Sequence, residues 1–158
     1  MRFVQYRTGH FNWRCANVLS GLGDSFSSAG ATAFELAAVE NKIDVCTKAT
    51  YEAGSMDMKA PIKRIMDNNC CRVTVLFGQT QDMSSLLLEA HRQKYPGEWI
   101  MSENVMATLD GVVNNLKNHL DEPTIHKLLR GIVYIRLDGK LHLSRLHLFF
   151  MSRLDTSS

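Results

Sequence analysis

The stretch that decides the fold covers residues 71–104 and reads CRVTVLFGQTQDMSSLLLEAHRQKYPGEWIMSEN. Its β-branched and aromatic run at Val73–Phe77 is typical of a buried parallel strand. Polar residues then break the run, and apolar residues recur at helical spacing over 86–91. Pro96-Gly97 ends that helix, and residues 98–101 begin another strand. The stretch therefore predicts a complete strand–loop–helix–strand unit.

The rest of the chain repeats this alternation. Further strands are predicted at residues 13–20, 43–47 and 131–135, and further helices at 27–42, 58–68, within 104–119 and at 121–129. Ser27 or Ser28 is the expected N-cap of the first helix. Alternating elements of this kind predict an α/β fold: a three-layer, Rossmann-like arrangement with a mostly parallel sheet and right-handed crossovers.

Composition is that of an ordinary globular domain. The 158 residues are 45% hydrophobic and 22% charged, with a formal net charge of +2. No basic block is present, which argues against nucleic acid as a partner. The N-terminus lacks the apolar core of a signal peptide, and no run of about 18 apolar residues could span a bilayer. These features predict a soluble chain that stays where it is made.

The four cysteines are Cys15, Cys46, Cys70 and Cys71. They are too few for a disulfide scaffold and lack the CxxC spacing of a zinc site. Cys15 and Cys46 lie in apolar, strand-like runs, so small buried hydrophobes are the favoured interpretation, with a bridge left open. A bond between the adjacent Cys70 and Cys71 would be strained. Cysteine usage therefore does not indicate the redox compartment.

Motifs for catalysis and metal binding are missing from the sequence. It contains no GxSxG elbow, no GxxxxGK[ST] phosphate loop and no HExxH pair. The spacing of five histidines favours surface positions over metal binding: His91, His119, His126, His142 and His147. We therefore predict no catalytic residue, no metal site and no cofactor.

The pair Gly21 and Gly23, between a strand and a helix, leaves one enzymatic alternative open. The dinucleotide fingerprint needs a third glycine and an acid about 20 residues further on. Phe26 occupies the third position, and Asp44 lies inside a predicted strand rather than at its end. A cytoplasmic Rossmann-like enzyme that binds a nucleotide at residues 21–25 is thus the weaker hypothesis.

Three loops at predicted strand ends combine polar groups: residues 23–28, 79–82 and 102–104. Taken singly, three of their side chains fit helix caps: Ser27, Ser28 and Asp82. Together the loops favour a crevice for a small polar ligand, with helix N-terminal amides for an anion and Glu103 for a cation.

Four sequence features resemble one known family. They are HFNWR at 10–14, DSFSSAG at 24–30, FGQTQD at 77–82, and HRQKYPGEWI at 91–100 leading to Ser102-Glu103. This order is similar to the receptor-family ligand-binding region, the type 1 periplasmic-binding-protein fold. The fold occurs in class C G-protein-coupled receptors, natriuretic peptide receptors and bacterial amino-acid-binding proteins. GIVYIR at 131–136 resembles the strand that crosses back to the other lobe.

The resemblance implies a two-lobed clamshell of which residues 10–136 form the second lobe. In this family the aromatic residue at the helix start contacts the ligand, and the acid after the third strand holds its amino group. The implied site residues are Ser25, Phe26, Gln79, Ser102 and Glu103. Phe26 stands where tyrosine is common, and Glu103 is one methylene longer than the usual aspartate.

The resemblance also implies a function. It predicts an extracellular lobe that binds a small, amino-acid-like ligand in a transmembrane signalling receptor, and not an enzyme. The implied partners are the ligand, a missing first lobe and a dimer partner. Contact with the membrane would come through receptor segments absent from this chain, which we interpret as a fragment. The location would be the extracellular face of the plasma membrane.

Residues 137–158 form a tail of uncertain structure. Its apolar and basic residues partly suit a strand and partly a helix. Packing in a core or against a partner is favoured over contact with a membrane surface.

Overall fold

A computed structural model describes residues 4–6, 13–68, 70–102, 109–130, 132–136 and 147–150. These residues form seven strands and five helices: β1 (Val4–Tyr6), β2 (Cys15–Leu22), α1 (Ser25–Glu40), β3 (Asp44–Glu52), α2 (Lys59–Asn68), β4 (Val73–Phe77), α3 (Thr80–Arg92), β5 (Glu98–Ser102), α4 (Leu109–Lys117), α5 (Glu122–Leu129), β6 (Val133–Arg136) and β7 (His147–Phe150). The alternation of strands and helices along the chain is the one predicted.

The seven strands form one sheet in the order β1-β7-β6-β5-β4-β2-β3. Strands β2 to β6 run parallel to one another, while β7 runs antiparallel to β6 and β1 antiparallel to β7. The prediction of an α/β fold with a mostly parallel sheet is confirmed.

Helix α1 covers one face of the sheet. Its Ala31, Phe34 and Ala38 pack with Val75 and Phe77 of β4 in one buried cluster. Glycine at position 30 allows this close approach, because a Cβ there would lie 2.5 Å from the Phe77 ring.

The other face is covered by the four remaining described helices. Ile62 of α2, Leu86 of α3, Leu116 of α4 and Ile125 of α5 share a second buried cluster with Leu76 of β4. Right-handed crossovers require this division, because the direction in which strands are added reverses after β3.

The position of each parallel strand in the sheet explains its pattern of burial. Every residue of β4 is buried, because this central strand has a packed layer on both faces. β3 lies at the sheet edge and buries only alternate residues over its second half, beginning at Thr47. This is the period of two expected of a strand with one face in the core.

The strand order also creates a switch point between β2 and β4. From β2 the chain moves to β3 on one side, and it then returns past β2 to β4 on the other side. The helices that leave β2 and β4 therefore depart to opposite faces. In open α/β sheets this is the point at which the carboxyl ends of strands leave a crevice.

Several element boundaries differ from the predicted ones. Helix α1 begins at Ser25 with Asp24 as its N-cap, rather than after Ser27 or Ser28. Strand β3 continues to Glu52 and not only to residue 47.

The favoured interpretation of Cys15 and Cys46 as small buried hydrophobes was wrong, and the alternative of a bridge, which the sequence left open, holds for both. Cys15 is bonded to Cys71, with Cα atoms 5.8 Å apart, and Cys46 to Cys70, with Cα atoms 6.1 Å apart. Cys46 falls on an outward-facing position of the edge strand, so its side chain is exposed rather than buried. The adjacent Cys70 and Cys71 each join a different strand, which avoids a bond between neighbours.

The part of the predicted tail that the structure describes, β7, is a strand paired with β6. The rest of the tail lies outside the described residues, and the proposed boundary at residue 136 stays a prediction. Among the described helices, none has the length and apolar character needed to cross a membrane.

Candidate ligand-binding crevice

The crevice lies where the carboxyl ends of β2 and β4 meet at the switch point. Ser20 of β2 is in register with Phe77 of β4, so the two strands end side by side. The turn at Gly23-Asp24 leads from β2 into α1, and the turn at Gly78-Gln79 leads from β4 into α3. Two helix N-termini are thereby placed at one edge of the sheet.

Asp24 is the polar centre of this edge. Its Oδ1 accepts a hydrogen bond from the Phe26 backbone N–H at 3.2 Å, and its Oδ2 accepts one from the Ser27 hydroxyl. The Ser27 hydroxyl is the main cause that holds the pKa of Asp24 below its usual 3.8, with smaller contributions from the Phe26 amide and the Gln79 side chain. Asp24 is therefore a carboxylate at neutral pH.

Three of the five predicted site residues come together here. Ser25 is exposed at the first position of α1, and Phe26 follows it with a half-buried ring. Gln79 occupies the N-cap position of α3 without capping it, and its side chain is exposed. The Gln79 side chain makes no capping bond to α3, whereas its backbone carbonyl accepts hydrogen bonds from the Asp82 and Met83 amides.

The two other predicted residues lie at the end of β5 and directly after it. Ser102 is the last residue of that strand, which pairs with β4, so its backbone lies at the same edge of the sheet. Glu103 lies outside the described residues. The proposed roles of both side chains stay predictions.

A buried tyrosine beneath the crevice was missed by the sequence reasoning. Tyr51 lies near the end of β3, and its hydroxyl donates to the Phe77 carbonyl at 3.3 Å. Burial is the main cause that raises the pKa of Tyr51 above its usual 10.0, and the Asp82 and Asp24 carboxylates add to the shift. The phenol is therefore neutral at physiological pH. The sequence signal that could have found Tyr51 is the alternation of buried and exposed positions along β3. The predicted strand ended at residue 47, before this alternation reaches Tyr51.

Asp82 ties the loop after β3 to α3. Its Oδ1 accepts a hydrogen bond from the Gly54 backbone N–H at 2.8 Å, and the residue is only 2% exposed. Its Oδ2 lies outside hydrogen-bonding geometry of any donor among the described residues. We therefore assign the Tyr51 proton to the Phe77 carbonyl.

The charge of this region is negative. Neither Asp24 nor Asp82 takes part in an ion pair within the described part of the chain. The described part of the chain contains no group of three side chains able to hold a metal ion. Carboxylates beside helix N-terminal amides suit a ligand that carries both a cationic and an anionic group.

The sequence matches the family described as "Receptor family ligand binding region" over residues 8–144. The chain belongs to this family. The match spans well over half of the chain and includes both turns of the crevice, so the resemblance drawn from the sequence motifs is confirmed. The family is one of ligand-binding regions, as its description says.

Comparison with solved structures supports the same fold. The chain is similar to a type 1 periplasmic binding protein from Bordetella pertussis Tohama I, with a TM-score of 0.61 and 14% sequence identity. The similarity covers 79% of this chain but only 30% of that protein. No curated protein matches the sequence.

The two glycines on which the nucleotide-binding alternative depends have ordinary structural roles. Gly21 is part of β2, and Gly23 has a φ of +80° in the turn that follows. The left-handed conformation at Gly23 suits a glycine and needs no bound phosphate. Phe26 follows within α1, where the fingerprint would have its third glycine.

Proposed function

We propose that this chain is one lobe of a two-lobed extracellular receptor domain that binds a small, amino-acid-like ligand at the switch-point crevice. The observation that carries the proposal is the meeting of two helix N-termini at the switch point, where the Asp24 carboxylate caps α1 and Gln79 stands at the start of α3. The lobe would bind its ligand without transforming it.

The groups of the crevice suit the two charges of an amino acid. Its ammonium group would be held by carboxylates, with Glu103 and Asp24 as the proposed partners. Its carboxylate would accept a hydrogen bond from the Gln81 amide in the first turn of α3, which the Gln79 side chain does not cap. Ser25 and Ser102 would add hydroxyl contacts.

Phe26 would supply the apolar contact for the ligand. Its ring is half-buried at the second position of α1. A phenyl ring cannot donate a hydrogen bond, so the proposed ligand would have an apolar or aliphatic part against this ring.

Exposed apolar residues at the crevice edge support a second lobe. Leu22, at the end of β2, is 45% exposed, and Met56, in the loop after β3, is 82% exposed. A covering lobe would bury both side chains and enclose the ligand, which one wall alone cannot do. A first lobe and a dimer partner are therefore the proposed protein partners.

Two disulfides support an extracellular location. Bonds of this kind persist in secreted proteins and on cell surfaces, and they are rare where thiols are kept reduced. We propose that the lobe stands at the extracellular face of the plasma membrane, in a transmembrane signalling receptor whose other segments cross the bilayer.

The test is thermal unfolding of the chain with each standard L-amino acid in turn. A ligand at about 100 times its dissociation constant stabilises the folded state by roughly 2.7 kcal/mol, and this raises the melting temperature. We expect at least one amino acid to do so for the wild type, and Gln79→Ala and Glu103→Ala to abolish most of the shift. Gln81→Ala is the matched control, because Gln81 has the same side chain and is exposed two residues further along α3.

Two results would refute the proposal. One is a shift that is equal in the wild type and in all three variants, since the crevice residues would then not contact the ligand. The other is a shift with a dinucleotide and none with any amino acid, which would support the enzymatic alternative instead.

A further inference from the structure

A second concave site lies at the opposite edge of the sheet. It is a pocket of about 720 Å³ between the end of α3, helix α5 and the amino-terminal ends of β5 and β6. The five residues of β4 separate the two edges by roughly 15 Å at the usual rise of a strand. We call it the basal pocket; it shares no lining residue with the crevice.

Aromatic rings form the walls of the basal pocket. Tyr95 and Trp99 lie with their ring centroids 5.1 Å apart and their planes tilted by 51°, and Trp13 lines the same cavity. The Tyr95 hydroxyl is fixed by a hydrogen bond of 2.6 Å with Thr74. Trp99 is only 6% exposed, so this ring is held by packing. Two of the three rings, Tyr95 and Trp99, are therefore held in place before any ligand arrives.

Cations surround the rings. Lys94, Lys127 and Arg130 line the pocket, whereas Glu98 is the one acidic residue among the described residues that line it. None of the three cations forms an ion pair with another residue that the structure describes. The volume falls in the range of about 300–1,000 Å³ that is common for small-molecule sites.

We propose that the basal pocket binds a planar aromatic organic anion, a ring that bears a carboxylate or a phosphate. The ring would lie against the aromatic walls, and the anionic group would be held by Lys94, Lys127 and Arg130. Arg130 offers a fork of donors that matches both kinds of anion. This site is independent of the crevice and of the ligand proposed for it.

The chain offers a specific readout for this site. Both of its tryptophans, Trp13 and Trp99, line the basal pocket, so all of its tryptophan fluorescence arises there. A ring that stacks in the pocket should quench this emission. The probes are benzoate and adenosine monophosphate, each with its uncharged counterpart, benzyl alcohol and adenosine, and inorganic phosphate tests the anion without a ring.

We expect at least one aromatic anion to quench the fluorescence with saturation, and to bind more tightly than its uncharged counterpart and than phosphate alone. Lys94→Gln and Arg130→Gln should each weaken this binding about tenfold, the effect of losing one charge-assisted contact. Added salt should weaken it further, because the cations are exposed.

Lys42→Gln is the matched control for Lys94→Gln. Each lysine follows the end of a helix and has a φ of 56°, but Lys42 lies after α1 and does not line the pocket. Equal weakening by both changes would overturn the proposal, as would quenching by neither anion or equal quenching by the uncharged probes. Gln79→Ala should leave this binding unchanged, so the two site proposals can fail separately.

Discussion

At the scale of single residues, Gly78 controls the contact between Tyr51 and the crevice turn. A Cβ at position 78 would lie 1.9 Å from the Tyr51 hydroxyl and 3.1 Å from Met83. Gly78 has an ordinary backbone conformation, so the need for glycine here comes from space alone. The Tyr51 hydroxyl occupies the space that a side chain at position 78 would need, and from there it donates a hydrogen bond to the Phe77 carbonyl.

Gly78→Ala should therefore destabilise the fold by about 2 kcal/mol, within the range for an overpacked core. Tyr51→Phe alone should cost about 1 kcal/mol, because the Phe77 carbonyl loses its buried donor. The double variant should be more stable than the sum of the two costs predicts, since removing the hydroxyl makes room for the methyl group. Urea unfolding of all four proteins measures the coupling.

Gly111→Ala is the control for the effect of adding a methyl group. Its Cβ would meet only the Thr80 methyl at 3.9 Å, and it lies within α4. We expect it to stabilise the protein by up to about 1 kcal/mol through helix propensity. Strictly additive costs for Gly78→Ala and Tyr51→Phe would show that the close contact does not exist.

At the scale of elements, the N-terminus of α1 depends on the charge of Asp24. Asp24→Asn keeps an oxygen that can accept from the Phe26 amide but removes the negative charge near the positive end of the helix. We expect the variant to be about 0.5 kcal/mol less stable than the wild type at neutral pH.

The pH dependence of this difference has a definite sign. The folded state lowers the pKa of Asp24 below its usual 3.8, so the stabilising effect of the charge is complete above that value. It is lost as the pH falls through the lowered pKa, and the stabilities of the wild type and Asp24→Asn should then converge. Asp44→Asn, an exposed change at the start of β3, corrects for net charge. A difference that stays constant in acid would contradict the assignment.

How well the sequence predicts the bounds of a strand or helix depends on which neighbouring elements bury it. The bounds of β4 follow from its continuous apolar run, since a central strand is covered on both faces. β3 was predicted too short because its exposed positions, such as Lys48 and Thr50, interrupt the apolar signal. The start of α1 was misplaced because Asp24, Ser25, Ser27 and Ser28 all have capping side chains, and the choice among them depends on packing against the rest of the fold.

The same reasoning applies to the crevice. Ser25, Phe26 and Gln79 could be grouped from the sequence, because each follows a predicted parallel strand. Tyr51 could not, since its contact with Phe77 joins residues 26 positions apart and depends on the order of strands in the sheet. Disulfide pairing could not either, because four cysteines allow three connectivities.

At the scale of the whole molecule, the disulfides join the strands that flank the switch point. Cys15–Cys71 connects the starts of β2 and β4, and Cys46–Cys70 connects β3 to the turn before β4. Both bonds lie away from the crevice edge, where the strands end. They therefore constrain the amino-terminal ends of these strands and leave the two crevice turns, at the carboxyl ends, unconstrained.

Removing Cys15–Cys71 should destabilise the fold without altering the crevice. The bond closes a loop of 56 residues, for which the chain-entropy model gives about 4 kcal/mol. We expect Cys15→Ala with Cys71→Ala to lower the free energy of unfolding by up to about that amount, measured in urea. The Cys46–Cys70 bond closes a loop of 24 residues. Cys46→Ala with Cys70→Ala should therefore lower the free energy of unfolding by slightly less.

Thiol counting separates this pairing from the alternatives. In the variant that lacks Cys46 and Cys70, the two remaining cysteines should be fully bonded, so the unfolded, unreduced protein should show no free thiol. Two reactive thiols in that variant would disprove the bond between β2 and β4. Because both bonds lie away from the crevice, an amino acid that stabilises the wild type should raise the melting temperature of this variant by a similar increment. Loss of the ligand effect would instead mean that the bonds hold the crevice turns in place through the length of β2 and β4.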